Sequence, residues 1–109
     1  MTWDELRSCC LALPGAEETF PFEPGVSVFK ASNGKMFAVT TSTSEPIDVS
    51  VKCDPALGEA LRRDFDAIVE GYHLNKRHWI TITLNADVPD ARVRELVEDS
   101  YALVMPVKA

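Results

Sequence analysis

The sequence contains no long apolar run. No stretch approaches the roughly 20 consecutive apolar residues that a membrane-spanning helix needs. The first residues, Met-Thr-Trp-Asp-Glu-Leu-Arg, also lack the basic-then-apolar order of a secretory signal. We therefore expect a cytoplasmic protein with no membrane partner.

Cysteine is scarce and its spacing is uninformative. The three cysteines are an odd count, with Cys9 and Cys10 adjacent and Cys53 far from both, which does not indicate a disulfide framework. Neighbouring helical residues point about 100° apart, so Cys9 and Cys10 are poorly placed to chelate one metal ion. We expect buried thiols, no metal site and no cofactor.

Positive charge is also in short supply. Eleven Lys and Arg stand against 17 Asp and Glu, for a net charge of −6. Because phosphate contacts supply most non-specific affinity for nucleic acid, this balance weighs against a protein that coats DNA. The fractions of hydrophobic residues (46%) and charged residues (26%) are those of an ordinary globular chain, and we expect one domain over residues 1–109.

Helical periodicity recurs in three places. The predicted helices are residues 2–13, a segment that opens at Asp54-Pro55, and residues 89–103. Thr2 and Glu5 have the spacing of a capping box at the first of them. Ser100 falls inside the apolar stripe of the last, so we interpret it as a packing residue rather than a nucleophile.

Alternating apolar residues predict strands between these helices. The predicted strands are residues 26–31, 35–41, 47–52, 68–69 and 79–84. Asn33-Gly34 is a strong hairpin signal between the first two, because both residues tolerate positive φ. The order α-β-β-β-α-β-β-α favours a two-layer α+β fold, an antiparallel sheet with helices on one face.

Residues 16–25 are predicted to be an extended connection, since their prolines disfavour helix. We expect Phe20 and Phe22 to anchor this loop by burial. The carboxylates of Glu17, Glu18 and Glu23 are expected to be solvated.

Residues 71–80 concentrate the groups that can bind, stack or transfer a proton, including both histidines and a Lys-Arg pair. Extending the strand alternation backwards from residue 80 places Arg77 beside Trp79 on the face away from the core, with His78 turned inwards. An Arg–aromatic pair suits base stacking or anion recognition. The structural alternative is that Trp79 covers apolar sheet surface and Arg77 lies across it.

Three classes of function remain open. A nucleic-acid-binding module would contact phosphates with the hairpin tip and the 75–77 segment. A protein- or small-anion-binding module would use the same cluster to grip a carboxylate or phosphate. An enzyme finds the least support, because His73 and His78 have no evident third group, so we expect no catalytic residues. The candidate binding residues are Lys30, Lys35, Tyr72, His73, Asn75, Lys76, Arg77 and Trp79.

Several separated motifs resemble the MmcQ/YjbR family of small bacterial proteins. They are the segment from Leu13-Pro14-Gly15 to Phe22, Gly34-Lys35-Met36-Phe37, residues 71–79, and Ser100-Tyr101. The resemblance implies a two-layer α+β fold and a DNA-binding role through wing-like elements. It supplies no catalytic residues.

Overall fold

The computed structural model describes residues 1–43, 45–71 and 74–106. Within them, the helices are α1 (Trp3–Leu11), α2 (Pro55–Asp64) and α3 (Asp90–Val104). The strands are β1 (Glu17–Thr19), β2 (Val26–Lys30), β3 (Met36–Thr41), β4 (Asp48–Lys52), β5 (Ile68–Glu70) and β6 (Trp79–Thr83). Every pairing is antiparallel, in the order β1-β2-β3-β4-β6-β5. The predicted α+β class and its element order are confirmed, with β1 as an additional short strand inside the predicted connection.

The helices lie on one face of the sheet. Helix α3 packs on β3 and β4, α2 packs on β5 and β6, and α1 packs on α3. Val49 and Val51 of β4 pair with Ile82 and Ile80 of β6, and all four are essentially buried in the core beneath the helices. Alternation then turns Ser50 and Thr81 to the opposite face. No helix in the described ranges is long and apolar enough to cross a membrane.

The predicted caps are present. Thr2 Oγ1 accepts the Glu5 N–H at 3.1 Å while Glu5 Oε1 accepts the Thr2 N–H at 3.0 Å, which is a complete capping box. Asp54 accepts the N–H groups of Ala56 and Leu57, with Pro55 in the first turn of α2. Both helices therefore begin where the sequence predicts.

The β2–β3 hairpin closes over Ser32, Asn33 and Gly34, the three residues that lie between the two predicted strands. The Gly34 N–H donates to the Ala31 carbonyl, and only the glycine takes a positive φ, of 83°. Asn33 instead uses its side chain: Nδ2 donates to the Val104 carbonyl at 2.7 Å. The hairpin is thereby fixed to the end of α3.

The prediction that Phe20 and Phe22 are buried anchors is wrong. Their side chains are 56% and 62% exposed. The face of the sheet away from the helices is nevertheless not open, because Val28, Ser50 and Thr81 on that face are buried. Phe22 lies at the rim of a cavity over this face.

Candidate nucleic-acid interface

The strand register brings the two predicted basic segments to the same end of the sheet. Lys30 at the end of β2 pairs with Met36 at the start of β3, and Lys52 at the end of β4 pairs with Trp79 at the start of β6. The hairpin loop and the turn before β6 therefore extend from one edge. We call the cations at this end the basic edge: Lys30, Lys35, Lys52, Lys76 and Arg77.

Residues 75–78 form a turn that Asn75 organises. Its carbonyl accepts the N–H groups of His78 at 3.1 Å and Trp79 at 3.0 Å, and its side-chain Oδ1 accepts the Arg77 N–H at 3.0 Å. Strand β6 consequently begins at Trp79, so the alternation cannot be extended back to Arg77. Asn75 shapes the turn, while Lys76 and Arg77 on it are exposed.

Trp79 faces away from the helices, as predicted, but it is only 7% exposed. It packs closely against Gly71, where an added Cβ would lie 2.6 Å from the Trp79 Cβ. The Gly71 N–H also donates to the Trp79 carbonyl at 2.9 Å. The buried indole offers little surface for a stacked base, and this placement agrees with the structural alternative for Trp79.

Of the two histidines, only His78 lies within the described residues. His78 is half-buried, and its carbonyl accepts the Cys53 N–H at 2.8 Å, joining the turn to the connection between β4 and α2. Tyr72 and His73 lie outside the described residues. Their predicted binding roles stay predictions.

Within the described part of the chain, the five cations of the basic edge have no carboxylate partner. Among the described residues, none of the five makes an ion pair within 4.0 Å, whereas Arg7, Arg92 and Arg94 each have an acidic partner. Lys52 was missed at the sequence level as a binding residue. The pattern that could have identified Lys52 is its position at the end of an alternating strand, on the face opposite Val49 and Val51.

Acidic residues also occur at this end. Glu17 pairs in register with Lys30, and Asp54 follows Lys52 by two positions. Asp99 of α3 lines a surface depression together with Lys52, and Glu70 of β5 pairs with Ile80 near the start of β6. The Asp54 carboxylate accepts two backbone N–H groups at the start of α2, so its negative charge lies at the positive end of the helix dipole. The five cations of the basic edge therefore exceed these four carboxylates by one, a small excess of positive charge within an acidic chain.

The cysteines have the environment of packing residues. Cys9 is half-buried, Cys10 and Cys53 are buried, and all three are free thiols. Burial raises the pKa of each thiol, which disfavours the reactive thiolate. In the described ranges, no group of three or more His, Cys, Asp or Glu side chains could hold a metal ion.

Comparison of the sequence with protein-family models identifies one family. The YjbR family model matches residues 11–103. The chain belongs to the YjbR family.

Two relatives from Escherichia coli share about a third of their residues with this chain. The uncharacterised protein YjbR of strain K12 is 35% identical over 101 residues, covering 93% of this chain and 85% of its own length. The uncharacterised protein YbdF of strain O157:H7 is 34% identical over 99 residues, covering 91% of this chain and 80% of its own length.

Two solved structures have the same fold. The Deinococcus radiodurans protein DR2400 superimposes with a TM-score of 0.91 at 46% identity, covering 96% of this chain and 79% of that one. A Pseudomonas syringae protein superimposes with a TM-score of 0.83 at 27% identity, covering 94% and 98%.

Some of the motif residues that carry the YjbR resemblance have structural roles here. The Tyr101 hydroxyl donates to the Pro14 carbonyl, and its ring packs edge-on against Phe37 with centroids 5.3 Å apart. Gly15 has a positive φ of 72°, and a Cβ there would lie 3.1 Å from the Ser32 Cβ. These motifs join α1, the β2–β3 hairpin and α3.

Proposed function

We propose that this YjbR-family chain is a non-catalytic protein that binds duplex DNA through phosphate contacts made by the basic edge. The observation that supports it is the convergence of five cations, free of ion pairs among the described residues, at one end of the sheet. Unpaired ammonium and guanidinium groups can contact phosphates without first breaking an internal ion pair.

The spacing of the cations suits contacts with the phosphate backbone of DNA. Lys30 and Lys52 are separated by two strand spacings, about 10 Å between their backbones. Lys35 in the hairpin loop and Arg77 in the turn extend the row beyond the strand ends. Such a row can follow successive phosphates along one strand of a duplex.

We expect the binding to depend on the shape of the DNA duplex and not on its base sequence. Phosphate contacts position a protein without identifying bases, and the buried Trp79 is not available for stacking. With a net charge of −6, the rest of the surface repels DNA, so the affinity should be modest and fall steeply with salt.

The experiment is a fluorescence-anisotropy titration of a labelled mixed-sequence duplex at several salt concentrations. Changing Lys76 and Arg77 together to Ala should weaken binding about tenfold or more and reduce the salt slope by about 2, since two phosphate contacts are lost. The pair Lys30→Ala with Lys35→Ala should behave in the same way. Both effects follow from counterion release.

The matched control is Arg62→Ala with Arg63→Ala. It removes the same charge from the C-terminal turn of α2, and neither arginine has an ion pair among the described residues. An equal loss in the control, or no binding of the duplex at low salt, contradicts the proposal. Pyrophosphate that binds at the edge when the duplex does not would identify a small-anion site instead.

A further inference from the structure

A cavity of about 520 Å³ lies on the sheet face away from the helices. Its floor is formed by strand residues, and Phe22, Glu23 and Leu74 stand around it. Phe22 and Glu23 belong to the connection between β1 and β2, while Leu74 belongs to the connection between β5 and β6. We call this space the sheet-face cavity.

The floor consists of two adjacent rows of side chains. Val26 and Thr41, which pair across β2 and β3, lie in one row with Asp48. Val39, Ser50 and Thr81, which pair across β3, β4 and β6, form the next row. Rows on one face are about 7 Å apart, so the floor is wide enough for a flat ring.

The polar groups of the cavity are acidic or neutral. Asp48 and Glu23 contribute carboxylates, Ser50 and Thr81 share a hydroxyl hydrogen bond of 2.8 Å, and no Lys or Arg is among the described lining residues. The Asp48 carboxylate is half-buried and makes no hydrogen bond or ion pair with the described residues. The site is therefore complementary to positive charge.

Burial raises the pKa of Asp48, because the charged form loses hydration and the described lining residues include no Lys or Arg that would compensate. A bound ammonium group would supply that compensation. Phe22 adds an aromatic wall that is 62% exposed, and an aromatic face attracts a cation and packs on an apolar ring.

We propose that the sheet-face cavity binds a small organic cation, an amine carried on a flat apolar body. The ammonium group would lie between Asp48 and Glu23, and the ring would rest on Val26 and Val39 against Phe22. The volume falls within the usual range for small-molecule sites.

This site is separate from the basic edge. Asp48 is the first residue of β4 and Lys52 is the last, so the two sites lie at opposite ends of the same strand. They also have opposite charge. A titration that detects no DNA binding therefore does not contradict the amine-binding proposal. Likewise, the absence of amine binding does not contradict the DNA-binding proposal.

The test uses three probes that share an indole ring: tryptamine, neutral tryptophol and anionic indole-3-acetate. Binding is followed by chemical-shift changes of backbone amides in ¹H–¹⁵N spectra of the full chain. Tryptamine should give saturable shifts at Thr41, Asp48 and Ser50. Tryptophol should bind at least about tenfold more weakly, since it lacks the charge that meets the carboxylates, and indole-3-acetate more weakly still.

Asp48→Asn should remove the preference for tryptamine over tryptophol. The variant is expected to fold, because it removes a half-buried charge that has no partner among the described residues. Asp64→Asn, at the exposed end of α2, is the matched control and should bind as the unmodified chain does. Equal affinity for the three probes, shifts located elsewhere, or no saturable shifts with tryptamine overturns the proposal.

Discussion

Ser100 illustrates what a single residue contributes in this protein. Its Oγ donates to the Phe37 carbonyl at 2.6 Å and accepts the Lys52 N–H at 2.8 Å, and the side chain is fully buried. The β3–β4 ladder ends at the pair of Ala38 and Val51, so this hydroxyl joins the two strands beyond the last ladder pair. The predicted packing role is confirmed, together with a bridging role that spacing cannot show.

Replacing Ser100 by Ala should lower the free energy of unfolding by about 2–4 kcal/mol. The change leaves one backbone donor and one backbone acceptor without partners at a buried position, and each such group costs about 1–3 kcal/mol. Urea denaturation measures the difference. Ser8→Ala, at an exposed position of α1, is the control and should stay within about 0.5 kcal/mol of the parent. A Ser100→Ala variant of unchanged stability contradicts this account.

At the scale of elements, the sequence predicts those helices and strands whose signals come from neighbouring residues. The caps at Thr2 and Asp54 and the alternation in β4 and β6 each fix an element from neighbouring residues alone. Strand β1 has no such signal, since Glu17, Glu18 and Thr19 offer no apolar alternation. It is held by residues distant in sequence, so it could not be predicted from its own composition.

Glu18 provides the distant contacts of β1, which corrects the prediction that its carboxylate is solvated. Its side chain is 11% exposed, and it accepts from Arg7 Nε at 2.8 Å and from Ser27 Oγ at 2.7 Å. These bonds tie β1 to α1 and to β2. Together with the backbone ladder to β2 and the Thr19 hydroxyl, which donates to the Val28 carbonyl at 2.8 Å, they position the edge strand.

Glu18→Ala should destabilise the protein by about 1–2 kcal/mol, because the buried Ser27 hydroxyl loses its acceptor and Arg7 its partner. Glu17→Ala is the matched control, one residue away and exposed, and should have little effect. Thermal unfolding of the two variants makes the comparison. If the Glu17 variant loses as much as the Glu18 variant, the strand does not depend on these two bonds.

At the scale of the whole molecule, the sequence predicts one covered face of the sheet and leaves the other open. The covered face follows from three amphipathic helices and alternating strands. The cavity on the second face depends on where two connections fold back, and Pro-rich or polar loops carry no periodicity that fixes this.

The sequence likewise predicts only part of the candidate site. The hairpin lysines and the Lys76-Arg77 pair follow from turn chemistry and composition. Their convergence with Lys52 follows only from the strand order, in which β4 lies between β3 and β6. Arg77 is exposed, in agreement with the prediction that it faces away from the core, but it lies in the turn that Asn75 organises and not in an extension of β6.

The layered architecture predicts an uneven pattern of amide hydrogen exchange. The central strands β4 and β6 are paired on both sides and packed beneath α2 and α3, so their amides should exchange only through global unfolding. The edge strands β1 and β5 are three residues long and paired on one side. Their amides can open locally without exposing the core.

We therefore expect protection at Val49, Val51 and Ile82 to exceed that at Thr19 and Val69 by about 100-fold or more. Exchange followed by NMR at a single pH and temperature resolves these amides, with intrinsic exchange rates as the reference for each residue. The Glu18→Ala variant offers an internal check, since it should accelerate exchange in β1 more than in β5. Equal protection across centre and edges would mean that the sheet opens as one cooperative unit, contrary to the layered arrangement of contacts.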